Sequence, residues 1–358
     1  MPSTAPIRNI LMLAGRFRMR SGYLHMLDLV RGLARRDCVV TLVCDGLPSA
    51  LPMRPLEVSS FSWAELSDGW FERNASGLSR LCRERKAQVI HVQGAGIGRR
   101  AERFLADCGL PVVFTPYSAT VDCRQTMRLQ RHAVRVIALS EFRREGLVNR
   151  CRIPREKLRV IRPGIDVESY PLAVPELGER VPVIGTVAPL EPGRGQAIFL
   201  EAAARLLVAG RVAEFVVAGD GPEERGLRAL AERLGVRKHV TFVTGLPSYS
   251  AGIVALDIFV RPAVTGGVGY TVLEAMAMGK AVVATSTGDM PELVAEGRSG
   301  LMVPKGDPAA LAELLAALLD DPERTRRLGL TARQSVAERF HLDRLVTNTL
   351  LLYEEAAG

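Results

Sequence analysis

Short apolar runs and amphipathic stretches alternate along the whole chain. Residues 10–14 form an apolar run closed by Gly15, the pattern of a strand covered on both faces in a parallel sheet. Ser21-Gly22 then precedes a stretch of helical period, with Leu24, Leu27, Leu29, Val30 and Leu33 on one side. Further strands are predicted at 39–44, 89–92, 111–115, 134–140 and 157–161. Ser140 caps a helix that begins near Glu141. Residues 171–180 contain two prolines, a glycine and little periodicity, and read as a linker. A second series follows. Its strands are predicted at 183–187, 214–218, 239–243, 258–261, 281–285 and 300–303, and its helices near 195–209, 222–234, 271–278, 291–296, 308–319, 322–338 and 343–356.

Strands that alternate with helices build parallel sheets through right-handed crossovers. Two such series predict an α/β chain of two Rossmann-like domains facing a central cleft, the first over 1–170 and the second over 181–340. Ligands of such sheets bind outside the carboxyl ends of the strands. Functional residues are therefore expected on loops that follow strands.

Composition narrows the classes. A length of 358 residues suits two domains. With 47% hydrophobic and 24% charged residues the chain is not a disordered protein. An aromatic content of 5% and the absence of a recognition motif argue against nucleic acid. The net charge of +8 is uneven. Residues 1–170 carry 28 Lys and Arg against 16 Asp and Glu, whereas the remainder is mildly acidic. A basic half fits an anionic partner such as a phosphorylated substrate or an anionic membrane surface, but charge alone favours the simpler reading of a solvated arginine-rich face. All six cysteines lie in the first half without zinc-site spacing, which reads as buried hydrophobes in a reducing compartment. No cationic segment with an apolar core opens the chain, and no apolar run approaches the roughly 18 residues of a membrane span. A cytoplasmic protein is expected, at most peripheral at the inner face of the membrane.

The chemistry concentrates at 261–285. There a strand feeds Gly266-Gly267-Val268-Gly269, which feeds a helix starting Tyr270-Thr271-Val272 and carrying Glu274. The glycines let the backbone approach a ligand, and the helix start offers free N–H groups and partial positive charge, as at a phosphate site. Glu274, read as a first-turn residue, can reach back to a ribose. Gly219-Asp220-Gly221-Pro222 and a segment ending Gly193-Arg194-Gly195 follow two other strands. Arg194 presents a guanidinium suited to phosphate oxygens.

The order and spacing of these segments resemble the retaining glycosyltransferases of the GT-B fold, family 4 (glycosyl transferases group 1). The likeness rests on 267–284, on 216–223, on Ser140-Glu141-Phe142-Arg143, on Pro163-Gly164-Ile165-Asp166 and on Ser21-Gly22. It implies a nucleotide-sugar donor, with a UDP, GDP or ADP base, on the second domain and a saccharide or lipid-linked acceptor on the first. It implies that Glu274 binds the ribose and that Arg194 takes the place of the family's phosphate-binding lysine. The amides of Gly269, Tyr270, Thr271 and Val272 would face the diphosphate or sugar. Gly219 would line the donor site, Gly22 would approach the diphosphate, and Thr244 to Leu246 would meet the base. Arg18, His91 and Tyr117 are the acceptor-side candidates. No cofactor and no metal are expected, since cations and helix amides can take the leaving-group charge. The last helix, 343–358 with its tail, would cross back to the first domain.

Three positions depart from the family's pattern. The first glutamate of its E-x7-E motif falls on Gly266, its phosphate-binding arginine on Pro189, and its fourth-strand histidine near Tyr117. These changes admit either an altered active site that recruits other residues or a catalytically impaired relative serving as a binding or partner subunit.

Overall fold

The computed structural model describes residues 6–16, 21–45, 59–61, 71–94, 97–117, 123–175, 177–178 and 180–358. The chain divides into two units, Met1–Gly164 with Leu342–Gly358, and Ile165–His341.

The first unit carries β1 (Asn9–Arg16), α1 (Ser21–Ala34), β2 (Val39–Asp45), β3 (Ser59–Phe61), α2 (Phe71–Glu84), β4 (Val89–Gln93), α3 (Gly98–Asp107), β5 (Val112–Thr115), α4 (Cys123–Leu129), β6 (Arg135–Ala138), α5 (Glu141–Cys151) and β7 (Leu158–Val160). The strands form one parallel sheet in the order β3-β2-β1-β4-β5-β6-β7. Leu11, Leu13, Ile90, Val92, Phe104, Phe114 and Val136 share its core. Ser140 caps α5 as its sequence suggests: its hydroxyl accepts from the Arg143 N–H at 3.0 Å.

The second unit carries β8 (Val183–Val187), α6 (Gln196–Val208), β9 (Glu214–Ala218), α7 (Glu224–Arg233), β10 (Val240–Val243), α8 (Tyr249–Ile253), β11 (Ile258–Arg261), α9 (Tyr270–Ala277), β12 (Ala281–Thr285), α10 (Met290–Leu293), β13 (Leu301–Val303), α11 (Pro308–Asp320) and α12 (Pro322–Arg339). Its parallel sheet runs β10-β9-β8-β11-β12-β13. Chain order reverses between β8 and β11, which makes their carboxyl ends the topological switch point. Both β11 and β12 are buried throughout. The Phe199 and Phe215 rings meet edge to face at 6.0 Å in the core between α6 and β9. Asp307 and Asp321 cap α11 and α12, each with a proline at the helix start.

The last helix, α13 (Leu342–Ala357), belongs to the first unit. It lies against α1 so closely that a Cβ on Gly32 would collide with Val346. Glu355 accepts from both Arg135 and Arg159, at 3.0 and 2.6 Å.

Three expectations change. The first unit ends at Gly164, not at residue 170. The stretch 171–180 is not the crossing: the Ala173 N–H donates to the Met278 carbonyl at 2.8 Å, and Arg180 grips buried Asp257 with two hydrogen bonds of 2.7 and 2.8 Å. The prolines and glycine there serve an extended strap fixed by tertiary contacts, which composition cannot distinguish from a linker. Glu274 stands in the second turn of α9, because that helix starts at Tyr270.

Candidate functional site

Loops leaving β8, β9, β10 and β11 are joined by backbone contacts at one end of the second sheet. Leu190 donates its N–H to the Asp220 carbonyl at 2.9 Å, and Gly219 donates to Val243 at 2.9 Å. A Cβ on Gly219 would collide with the Ala188 carbonyl, so the β8 and β9 loops can meet only with glycine there. The Asp220 carboxylate accepts from the Gly245 N–H at 2.9 Å and so fixes the loop that carries Thr244 and Leu246. Thr244 is exposed and Leu246 half-buried.

Across the switch point, Val264 and Thr265 donate their N–H groups to the Gly193 carbonyl at 3.0 and 3.4 Å. Gly195 has φ +82°, and a Cβ on it would strike the Pro262 carbonyl. Only glycine satisfies both the left-handed backbone and the close approach. Arg194 lies between these two glycines. Its guanidinium pairs with Glu191 at 3.5 Å and reaches within 3.6 Å of the point where a Cβ on Gly267 would stand. Arg194 is therefore brought to the glycine-rich loop.

Gly269 is the N-cap of α9, with φ +71°, and a Cβ there would collide with Leu293. The following helix is buried at every position. The Val272 N–H donates to the Gly269 carbonyl at 3.0 Å, so it does not face a ligand. That corrects the expectation for Val272, whose turn closes on the cap residue. Tyr270 and Thr271 supply the first N–H groups of the helix. Tyr270 is 1% exposed, and its hydroxyl has no hydrogen-bond partner among the described residues. Glu274 is 3% exposed and accepts from the Tyr170 hydroxyl at 3.3 Å. A buried carboxylate held in this way is fixed in orientation.

The first-unit candidates part company. Arg18 lies outside the described residues. Gly22 is covered by the Tyr117 ring, which a Cβ would meet at 2.7 Å. The absence of a side chain at Gly22 thus makes room for that aromatic ring. Tyr117 donates its hydroxyl to Gln93 and stacks edge to face on His25 at 5.8 Å. Burial pushes its phenol well above the ordinary range. His91 is fully buried, with Nδ1 2.5 Å from the Tyr353 hydroxyl and Nε2 2.7 Å from the Thr115 hydroxyl. Burial, with a smaller contribution from His25, pushes its pKa down to about 3. His91 is therefore a neutral link between β4, β5 and α13, which corrects its place among the acceptor-side candidates.

Two cations carry no role in the sequence reading. Arg143 is buried and donates to the Tyr117 carbonyl at 2.7 Å. Arg261 ends β11, is 8% exposed, and points its Nη2 at Gly267. An arginine closing an apolar strand was the available signal for Arg261.

Comparison with known proteins matches both halves of the chain. A glycosyl transferases group 1 model covers residues 181–321, and a glycosyltransferase family 4 model covers residues 24–169. Alpha-D-kanosaminyltransferase of Streptomyces kanamyceticus is 27% identical over 325 residues, which span 82% of this chain and 83% of that protein. D-inositol 3-phosphate glycosyltransferase of Corynebacterium efficiens is 34% identical over 219 residues, 56% of this chain and 51% of its own length. The chain thus spans about half of that second relative. Among solved structures, the Anabaena protein HepE in complex with UDP and glucose superposes with a TM-score of 0.82 at 19% identity, covering 97% of this chain and 99% of that one. A Rickettsia africae glycosyltransferase also gives a TM-score of 0.82, at 14% identity and 98% coverage of each chain. Two parallel sheets of this topology, the glycine-locked loops at the switch point and the matches to both halves together identify the chain as a glycosyltransferase of the group 1 family, with the GT-B fold.

Proposed function

We propose that this glycosyltransferase moves a sugar from a nucleoside-diphosphate donor to a saccharide or lipid-linked acceptor in glycan biosynthesis, with retention of anomeric configuration. The donor lies on the second unit and the acceptor on the first. The observation that carries the reading is Arg194 held beside Gly267 at the switch point, just ahead of the helix that bears buried Glu274. The HepE structure contains UDP and glucose, which supports a donor of the same class.

In the reaction, the bond between the sugar C1 and the diphosphate oxygen breaks as the acceptor oxygen bonds to C1 on the same face. The acceptor proton passes to a diphosphate oxygen. Arg194 and the N–H groups of Gly269, Tyr270 and Thr271 stabilise the charge left on the diphosphate. Glu274 holds the ribose hydroxyls, and Thr244 and Leu246 border the base. This scheme requires no metal. The basic first half, with 28 Lys and Arg against 16 Asp and Glu, supports contact with an anionic membrane surface where the acceptor is lipid-linked. No helix among the described residues is long and apolar enough to cross a membrane.

The test is a thermal-shift panel of UDP, GDP, ADP and their sugar conjugates, repeated with Glu274→Ala. A ligand at a hundred times its Kd should add about 2.7 kcal/mol of stability. One base should stabilise selectively, the variant should lose that effect, and donor turnover with acceptor should follow. The anomeric coupling of the product, read by NMR, decides retention. If no nucleotide stabilises at millimolar concentration, the donor reading fails and a binding or partner role replaces it.

A further inference from the structure

We propose that Arg261 is a second guanidinium of the donor-phosphate site, supplying from β11 the cation that Pro189 cannot supply from the β8 loop. The proposal rests on the nucleotide-sugar reading above and adds to it the residue that completes the diphosphate grip.

Arg261 stands at a place where a charge needs a reason. Ile258, Phe259 and Val260, the rest of β11, are at most 1% exposed, and Arg261 itself is 8% exposed. A strand covered on both faces is ordinarily apolar to its end. This strand, however, flanks the switch point, so its last residue lies where ligands of such sheets bind. The Arg261 Nη2 lies 3.3 Å from the position a Cβ on Gly267 would take, and the Arg194 Nη1 lies 3.6 Å from the same position. Two guanidinium groups from opposite sides of the switch point thus converge on one glycine. Arg261 Nη2 also donates to the Thr265 carbonyl at 3.5 Å, and an anion seated at Gly267 can take a charge-assisted contact from each guanidinium.

The surroundings favour that anion. Gly266, where the resemblance leads one to expect a glutamate, contributes no carboxylate. With no carboxylate at 266 and a guanidinium at 261, both positions leave the neighbourhood favourable to an anion. Pro189 has no charged group, and its carbonyl accepts from the Gln196 amide at 3.0 Å. The two arginines are also held in place without a ligand. Val264 and Thr265 bond to the Gly193 carbonyl at 3.0 and 3.4 Å, and this ties the loop after Arg261 to the loop that carries Arg194. Such prior ordering reduces the entropy lost on binding. The present partner of Arg194, Glu191, is 3.5 Å away and partly exposed, an ion pair weak enough for a diphosphate to displace. A planar guanidinium fits two phosphate oxygens at once, which a lysine does not.

The full chain should be titrated calorimetrically with inorganic pyrophosphate and with UDP, GDP and ADP, as wild type, Arg261→Leu, Arg261→Lys and Arg194→Leu. Losing a charge-assisted contact should weaken pyrophosphate and the preferred diphosphate roughly ten- to a hundredfold in Arg261→Leu and in Arg194→Leu. Arg261→Lys should recover part of the loss. A folded Arg261→Leu that binds pyrophosphate and the diphosphate as wild type does overturns the proposal and leaves the nucleotide reading standing. Should Arg261→Leu fail to fold, Arg261→Gln, which keeps a polar side chain without the charge, decides: affinity equal to wild type overturns the proposal. If wild type binds pyrophosphate through Arg261 but none of the three nucleotides more tightly, Arg261 stands and the nucleotide reading falls. Wild type that binds neither overturns both.

Discussion

His91→Leu separates a structural histidine from a catalytic one. His91 is fully buried between the hydroxyls of Tyr353 and Thr115, at 2.5 and 2.7 Å, and its pKa is lowered to about 3. In the unfolded chain a histidine has a pKa of about 6.5. Below that value the unfolded state binds a proton that the folded state refuses. The stability His91 contributes is therefore present above about pH 6.5 and is lost as pH falls towards 3. Between pH 7.5 and pH 5 the unfolded ring gains nearly a full proton, and the loss comes to about 2 kcal/mol. His25, lowered to about 4 by burial alone, adds a loss of similar size. Removing the His91 ring also leaves two buried hydroxyls without their partner, at about 1–3 kcal/mol each. Urea melts followed by circular dichroism at pH 7.5 and pH 5 supply the test. His91→Leu should lower stability at pH 7.5 by about 2–6 kcal/mol. It should also shrink the difference between the two pH values by about 2 kcal/mol. Glu145 and Glu355, whose pKa values arginines lower, titrate alike in both proteins and cancel in the comparison. Unchanged stability and an unchanged pH difference, together with lost sugar transfer, would refute the reasoning and return His91 to the acceptor site.

Further outcomes follow from the loops and the buried helix. Gly195→Ala forces a Cβ against the Pro262 carbonyl at φ +82°, whereas Gly210→Ala meets open space at φ +74°. Thermal melts should show a cost of about 1 kcal/mol at 210 and about 3 kcal/mol or more at 195, with nucleotide stabilisation lost only at 195. Equal costs at the two sites would dissolve the lock between the β8 and β11 loops. Glu274→Gln removes a carboxylate that is 3% exposed. The melting temperature should hold or rise, because a buried charge is costly, while nucleoside-diphosphate affinity falls roughly tenfold. Reduced stability with undiminished affinity would make Glu274 a structural residue.

Much of the fold was legible because it depends on local pattern. Short apolar runs bounded by loop residues gave the strands of the second unit nearly residue for residue, and Ser140, Asp307 and Asp321 mark helix starts by their own capping bonds. In the first unit β3, α2, α3 and α4 were harder to place. Among the described side chains of α3, whose sequence is GRRAERFLAD, Phe104 and Leu105 belong to the core, two adjacent positions that show no period. The segment 171–180 has the composition of a linker, yet Arg180 and Asp257 bind it to the second unit.

The candidate site divides along the same line. The sequence by itself determined the alternating α/β pattern, the glycine-rich loop before α9, and Arg194 and Glu274 as its polar groups. Periodicity, glycine and capping residues act within a few positions, so they can be read along the chain. Tertiary structure alone decided that β8 and β11 are neighbours, and through them that Arg194 and Arg261 converge on Gly267. It also decided that His91 faces Tyr353 of the last helix and not a ligand. Both outcomes depend on pairings between residues far apart in the chain, which follow from how the sheet is ordered and what it buries.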